Sequence, residues 1–445
     1  MEQEENLVRL LPDDALAGIL RRLPHRSLAV SRCVCRAWRD TIDGRRLLLP
    51  HLLPHSVGGI FIEFNCLDSW EFLARPTTGP KVSGKIGFAG ADSFIQDHCN
   101  GLLLLYQCVV NPATRRWASL PQRPPPPMGT KYFYEDEHIV FDPAVSLHYE
   151  VFTIPRILYM REPGDFNYCR FRDKSDHVIE KQEWPPSPFI LPVFSSRTGQ
   201  WEERSFLREG KAAGTIAEMR LASISTEKRY GVYWRGELYV HCEANFVMRI
   251  SLSNNKYQVI EPPTDTDGLY LGKSEKGVYC ASVDLLLRVW ILKVLNGRME
   301  WALKHQTSLK PLLAHQEYSE QSDGPWILQD INYYERHDED ASYEALEQAK
   351  IDWDSDNDNV LHNEDRVDEY IGYIDFLGFH PYKEVVFLGE SMTRGLAYHL
   401  NSSKFQDLGN LYPRYYGHIS GQHGLIRGAF PYTPCWIDEF PQNNY

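Results

Sequence analysis

Apolar residues recur at helical spacing in the first part of the chain and at strand spacing afterwards. Near the start, four of them stand at i, i+3, i+4 and i+7, namely Leu16, Ile19, Leu20 and Leu23. This spacing predicts one apolar stripe along a helix. Asp13 is the expected N-cap, because its carboxylate can accept the free amide hydrogens of the first turn, and Pro24 is expected to end the helix.

Two further short helices are predicted before residue 43. Ser27 can cap a second helix that carries Leu28 and Val30, and a third helix would carry Val30, Val34 and Trp38 at i, i+4 and i+8. Three short helices within about 33 residues are too little chain to bury a self-sufficient core. We therefore expect this unit to leave apolar side chains exposed for a partner.

Beyond Pro54 the helical period disappears and short runs of β-branched, aromatic and leucine residues replace it. Turn residues such as Asn111-Pro112 and Asp142-Pro143 separate these runs. We expect strands at residues 61–64, 102–106, 139–141, 150–154, 238–242, 247–252, 257–260, 385–388 and 396–400. The long remainder of the chain is therefore predicted to be β-structure.

A sequence motif repeats in this β region. It consists of an apolar strand, a polar turn and then an aromatic residue. It occurs at residues 109–117, 193–201, 250–257, 292–301 and 398–405, with a looser copy at 141–149. The aromatic residues are 32, 52, 56, 44 and 104 positions apart, and spacings of roughly 40–50 are typical of four-stranded propeller blades. One aromatic residue per blade is expected to fill space between blades. Six or seven blades fit best, and eight are possible.

The helical unit resembles an F-box. The resemblance is carried by Leu-Pro-Asp-Asp-x-Leu-x-x-Ile-Leu-x-x-Leu-Pro-x-x-Ser-Leu, which starts at Leu11, and by Ser31-Arg32-Cys33-Val34-Cys35-Arg36-Ala37-Trp38-Arg39. It implies an F-box over residues 8–50 that docks on the Skp-type adaptor of a cullin–RING ubiquitin ligase. Gly18 departs from the acidic or long polar residue that the family usually has at this position.

Ten residues form the candidate adaptor-binding site, because they are more apolar side chains than so small a unit can shield from water. They are Leu11, Pro12, Leu16, Ile19, Leu20, Leu23, Pro24, Leu28, Val34 and Trp38. Some of them, especially Val34, could instead pack only inside the unit, and we expect both roles among the ten. Leu11, Pro12 and Trp38 are expected to face the partner more than the others.

Residues 95–155 resemble the F-box-associated, kelch-like domains of plant F-box proteins. The matching stretches are 99–104, 111–117 and 141–143. This resemblance implies that residues 55–445 form a β-propeller that holds a target protein. The predicted fold is therefore multi-domain, with a small all-α F-box followed by an all-β propeller. The predicted function is the substrate-recognition subunit of a Skp–cullin–F-box E3 ubiquitin ligase, with no catalytic activity of its own.

One strongly acidic segment interrupts the β region at residues 335–369, with 14 acidic and 3 basic residues. We expect a solvated, disordered insert whose removal leaves the melting temperature nearly unchanged. Alternate acidic residues within it are spaced like calcium ligands: Asp352, Asp354, Asp356 and Asp358. A calcium-binding loop would need glycine and glutamate where Asn359 and Asp365 stand, so we favour the disordered loop.

Charge and cysteine content limit the cellular setting. The net charge of −13 argues against a protein that coats nucleic acid. Acidic residues follow Met1 where a secretory signal would be positive, and no apolar run reaches the ~18–20 residues of a membrane span. The nine cysteines have no framework spacing and are expected to be reduced, so we expect the cytoplasm, the nucleus or both.

The sequence contains no G-x-S-x-G, P-loop or H-E-x-x-H motif, so we expect no cofactor and no metal. Two alternatives to the ligase role stay open. The F-box protein could be a scaffold or regulator outside target degradation. The propeller could also be a hydrolase or bind a sugar, since propeller hydrolases use paired carboxylates and this chain has many acidic residues.

Overall fold

The first described residues form three helices, and the described residues after them form mainly strands. The computed structural model describes residues 12–23, 25–45, 47–48, 53, 56–89, 94–123, 133–157, 177–221, 230–263, 268–295, 298–310, 324–337, 353–354, 372–421 and 424–437. None of the helices within these ranges is long and apolar enough to cross a membrane.

The N-terminal helices are α1 (Asp13–Leu20), α2 (His25–Ser31) and α3 (Arg36–Gly44). The N-cap of α1 is Pro12 and not Asp13 as predicted, because the carbonyl of Pro12 accepts the amide hydrogens of Ala15 and Leu16. Asp13 and Asp14 lie in the first turn of α1, where their negative charge favours the helix N-terminus.

The second and third helices also differ from their predicted ends. α2 begins two residues before Ser27, which therefore lies inside the helix and does not cap it. α3 begins after Cys35, whose extended backbone (φ −160°, ψ 169°) interrupts the helical path. Val30, Val34 and Trp38 do not share one helix, because Val34 lies in the turn between α2 and α3.

A small core holds the three helices together. Its buried side chains are Leu16, Leu20, Leu28, Ile42 and Leu47. Two ion pairs add surface contacts, Arg32 with Asp43 at 2.9 Å and Arg45 with Asp14 at 2.6 Å. Exposed pairs of this kind contribute little stability, so the apolar core is the main interaction within the unit.

The strands of the described residues are numbered in chain order. They are β1 (Gly59–Phe64), β2 (Glu71–Ala74), β3 (Ile95–Cys99), β4 (Leu102–Leu105), β5 (Cys108–Asn111), β6 (Arg116–Ser119), β7 (Phe133–Val140), β8 (Glu150–Ile157), β9 (Glu183–Trp184), β10 (Phe189–Ser195), β11 (Gln200–Glu209), β12 (Gly214–Thr215) and β13 (Val232–Trp234). They continue as β14 (Glu237–His241), β15 (Val247–Ser251), β16 (Lys256–Ile260), β17 (Leu269–Ser274), β18 (Gly277–Val283), β19 (Leu286–Leu295), β20 (Arg298–Ser308), β21 (Ile327–Leu328), β22 (Ile374–Phe379), β23 (Val385–Glu390), β24 (Arg394–His399), β25 (Lys404–Asn410) and β26 (Ile426–Tyr432).

Four short α-helices lie between these strands within the described ranges. They are α4 (His177–Glu180), α5 (Ile216–Leu221), α6 (Ile331–His337) and α7 (Tyr416–Ser420).

In the part of the chain that the structure describes, the strands form six four-stranded antiparallel units and one small two-stranded sheet. The units are β3–β6, β7-β8-β10-β11, β13–β16, β17–β20, β22–β25 and β26-β1-β2-β21. The second and third units are joined into one eight-stranded sheet, because β11 pairs with β16 in parallel. The last unit combines strands from both ends of the β region, since β1 pairs with both β2 and β26.

One edge strand of each unit contacts the edge strand of the next unit. Contacts join β3 to β7, β13 to β17, β17 to β22 and β22 to β26. Gly231, which precedes β13, lies beside His138 of β7, and the ring stack of His98 on Phe430 joins β3 to β26. The contacts include Ile139 N and Gly231 N with the carboxylate of Asp97, Lys273 with the carbonyl of Tyr233, Tyr270 stacked on Phe376, and Phe430 stacked on His98. These six edge strands therefore surround one central space.

The repeated sequence motif corresponds to one structural element, a β-hairpin. In five units it spans the hairpin between the third and fourth strands, and its aromatic residue lies on the fourth strand. The looser copy at 141–149 differs, because it connects the first and second strands, β7 and β8. The aromatic residues do not all fill space between units: Tyr149 and Tyr257 are buried, whereas the side chain of Trp117 is 43% exposed.

Trp353 corrects the expectation for the acidic segment. It lies within 335–369 and is only 4% exposed, with its ring edge-on to Trp326 at 5.4 Å. Its carbonyl accepts a hydrogen bond from the Arg75 guanidinium at 2.8 Å. This part of the segment is packed against the β-structure and is not a solvated insert. The predicted calcium ligands other than Asp354, and most of the acidic residues, lie outside the described residues.

Replacing Trp353 with alanine should lower the free energy of unfolding by about 3–5 kcal/mol, because a buried indole is lost and a cavity is left behind. Urea denaturation of the full chain measures this change. Trp117→Ala is the matched control, since the Trp117 ring is partly exposed. Equal, small losses in both variants would contradict a structural role for Trp353.

Glu71 connects β2 to α6 from a fully buried position. Its carboxylate accepts hydrogen bonds from the backbone N–H groups of Ile331 (2.6 Å) and Asn332 (3.0 Å) and from the Asn332 side chain (2.8 Å). Burial raises the pKa of Glu71 to about 7, although the hydrogen bonds from Asn332 and Ile331 act in the opposite direction. The contact therefore links the chain beyond β21 to β2 through a carboxyl group that titrates near neutral pH.

The pKa of Glu71 predicts how stability changes with pH. Between about pH 4.5 and 7 the folded chain keeps a proton that the unfolded chain releases, so the free energy of unfolding should fall as the pH rises. The loss should be at most about 3 kcal/mol. Urea denaturation at pH 5 and pH 8 should show a smaller decrease in Glu71→Gln than in the unmodified chain. Glu261→Gln, at an exposed position, should behave like the unmodified chain, and identical pH dependence in all three would contradict the assignment.

Candidate functional site

The surface of the three-helix unit is the first candidate site. Three of the ten predicted adaptor-binding residues, Leu16, Leu20 and Leu28, lie in the core of the unit. They pack against Ile42 and Leu47 from α3 and the turn that follows it. These three side chains support the surface from within and do not form part of it.

Exposed β-branched side chains lie on the surface that this core supports. Ile19 on α1 is 52% exposed and Val34, in the turn after α2, is 61% exposed. The alternative that Val34 packs only inside the unit does not fit this exposure, which agrees with its place among the ten candidate residues. Val30 is 68% exposed and was not among the predicted site residues. Its position four residues before Val34 could have indicated it. Pro12 is exposed as well.

Leu23 and Trp38 occupy an intermediate position, since both are partly buried against the core. The indole N–H of Trp38 is buried and meets no acceptor among the described residues. Trp38 therefore packs mainly within the unit, and the expectation that it faces a partner fits only the exposed part of its ring. Leu11 and Pro24 lie outside the described residues.

Several hydrogen bonds fix the helices that carry this surface. The hydroxyl groups of Ser31 and Thr41 donate to carbonyls four residues earlier in their own helices, at 2.7 and 2.8 Å. The guanidinium of Arg39 donates to the carbonyl of Arg32 at 3.3 Å and so connects α3 to the turn before it. A folded unit with exposed Ile and Val side chains can bury them against another protein, which is the kind of contact that apolar surface favours.

The second candidate site is the central space between the six edge strands. It contains a cavity of about 160 Å³. Aromatic rings form much of its wall: His98 stacks on Phe430 with ring centres 3.9 Å apart, and Tyr230 lies edge-on to both. Burial lowers the pKa of His98 to about 4, so its ring is neutral at pH 7 and belongs to the apolar wall.

Lys273 is the notable charged residue of this cavity. Its ammonium group donates to the side-chain oxygen of Asn100 at 2.7 Å and to the carbonyl of Tyr233 at 3.1 Å. The amide of Asn100 is in turn oriented by the carbonyl of Phe141, 2.6 Å from Nδ2. Burial lowers the pKa of Lys273, because a desolvated ammonium is less stable than the neutral amine. No sequence pattern had indicated this lysine.

Acidic residues and metal ligands are sparse around the cavity. Asp375 is the one carboxylate among the described residues that line it, so a pair of close carboxylates is not found in this cavity. Within the described ranges no group of three or more His, Cys, Asp or Glu side chains could hold a metal ion. The described lining residues therefore offer a cation, one carboxylate and aromatic rings.

Comparison with known proteins identifies the first site. Residues 9–49 match the F-box domain family. An Arabidopsis thaliana protein whose name assigns it an F-box and kelch repeats is 24% identical over 221 residues, which cover 44% of this chain and 46% of the relative. An F-box protein of the same plant is 25% identical over 317 residues, or 66% of this chain and 72% of the relative.

A third relative, whose name assigns it an F-box, is 25% identical over 190 residues, or 40% of this chain and 51% of the relative. The chain thus spans about half the length of two of these three plant proteins. The comparisons establish an F-box domain at residues 9–49 and similarity to plant F-box proteins. The first of these relatives is named a kelch-repeat protein, and this name is the only link in these three comparisons to the kelch-like resemblance of the β region.

Proposed function

We propose that this chain is the substrate-recognition subunit of a Skp–cullin–F-box E3 ubiquitin ligase. The F-box domain would dock on a Skp-type adaptor, and the β region would bind a target protein. The observation that carries the proposal is the F-box match over residues 9–49, together with the exposed Ile19, Val30 and Val34 on the same short unit. The plant F-box relatives support the same role.

The proposal assigns the adaptor contact to surface residues and not to all ten predicted positions. Pro12, Ile19 and Val34 would contact the adaptor directly, and Val30 is added to them. Leu16, Leu20 and Leu28 would hold the helices that present this surface. Each fully buried Val or Ile side chain contributes about 1.5–3 kcal/mol before the costs of association, so a few such residues support a stable interface.

We propose that the β region is a β-propeller with six blades, each formed by one four-stranded unit. The cyclic contacts of the six edge strands support this assignment, since the innermost strand of each blade lines the centre of a propeller. The pairing of β1 with β26 supports it too, because it combines both ends of the β region in one unit. Loops at the rim of such a fold offer a broad surface for a protein target.

The role would be non-catalytic and would take place in the cytoplasm, the nucleus or both. A bound target would be held near the ubiquitin that other subunits carry, which raises its effective concentration. The cavity has a single carboxylate among its described lining residues, which favours this proposal over a propeller hydrolase.

Adaptor binding is tested by charge at the proposed surface. Ile19→Asp and Val34→Asp should each reduce co-purification with a Skp-type adaptor by about tenfold or more, because a buried carboxylate without a partner is costly. Circular dichroism should show unchanged helix content, since both residues lie outside the core. Val145→Asp is the matched control, at a 70% exposed valine of the β region.

Adaptor recovery equal to that of Val145→Asp in both F-box variants would contradict the docking proposal. Target capture is tested separately by proximity labelling with the full chain and with a chain that lacks residues 1–50. A receptor should label the same target in both, and the target should accumulate only with the truncated chain. Unchanged levels of every labelled protein would instead favour a scaffold.

A further inference from the structure

The central cavity contains a cationic group without a nearby anionic partner. Lys273 donates to two neutral oxygens, those of Asn100 and Tyr233. No carboxylate of the described residues forms an ion pair with its ammonium group, and the groups that raise its pKa are Cys99 and Asp142. A partly buried cation is stabilised by a counter-ion, so this arrangement is suited to bind an anion.

The rest of the wall is suited to an apolar body. His98, Tyr230 and Phe430 form an aromatic cluster, and the ring of Phe379 lies against the backbone of Gly272, where a Cβ would be 2.3 Å from the ring. The hydroxyl of Tyr230 is buried and has no hydrogen-bond partner among the described residues. This hydroxyl is a second polar group that a ligand could satisfy.

The size of the cavity limits the ligand. A volume of about 160 Å³ corresponds to roughly 10–16 water-sized spheres at ~10–15 Å³ each, which is the volume of a small organic molecule. Phosphate groups prefer several converging donors. Among the described lining residues, one partly buried lysine lies among aromatic rings, and the other Lys or Arg, Arg427, is exposed.

We propose that the central cavity binds a small organic carboxylic acid with an aromatic or aliphatic body. The carboxylate would accept a hydrogen bond from Lys273, and the body would pack against His98, Tyr230 and Phe430. Asn100 would hold the ammonium group in place through its own hydrogen bond to the carbonyl of Phe141. This site is separate from the adaptor surface, so it stands whether or not the chain joins a ubiquitin ligase.

The test uses the full chain with phenylacetate and 4-phenylbutyrate as probes and their neutral amides as matched ligands. Isothermal titration calorimetry and saturation-transfer NMR should detect the acids, and the amides should bind at least about tenfold more weakly. Lys273→Met should weaken the acids by a similar factor. Lys276→Met, at an exposed lysine three residues away, should bind them like the unmodified chain.

Three outcomes would overturn the proposal. The first is that neither acid binds the unmodified chain, and the second is that acids and amides bind equally, which does not depend on the folding of any variant. The third is binding of a peptide that ends in a free phenylalanine carboxylate, lost in Lys273→Met and on amidation, while the small acids do not bind. This third result would assign the cavity to a chain terminus of a target protein.

Discussion

The pairing of β1 with β26 is the interaction on which the rest of the β region depends. Six residue pairs, from Gly59 with Tyr432 to Phe64 with Ile426, join strands from opposite ends of this region. Phe61, Phe430 and Tyr432 pack on one another across these strands. Without this pairing the last four-stranded unit would lose its inner strand, and the cyclic contacts between β22, β26 and β3 would be open.

Closure of the β region and exposure of the helical unit together explain a division of roles. The β region pairs the strands at its two ends with each other and encloses a central cavity, whereas the three helices leave Ile and Val side chains on their surface. One part is thus suited to dock on another protein and the other to bind a ligand or target.

Contacts between residues close in the sequence could be predicted from it, and contacts between residues far apart in the sequence could not. The strands and their hairpins follow from local sequence patterns. The repeated sequence motif therefore identified the hairpin between the third and fourth strands in five units. The pairing of β1 with β26 joins residues more than 350 positions apart and leaves no local signal. Trp353 was missed because the 14 acidic residues around it dominate the composition, while its own burial determines the packing. Lys273 is distinguished only by its place in the cavity wall, and the exposure of Val34 follows only from the turn before Cys35.

Hydrogen–deuterium exchange of the full chain, with and without a Skp-type adaptor, tests the central claim most directly. The account predicts that the adaptor slows exchange in the helical unit around Ile19, Val30 and Val34, while β1 and β26 stay strongly protected and unchanged. Slower exchange confined to the β region, or no change in the helical unit at saturating adaptor, would contradict the account.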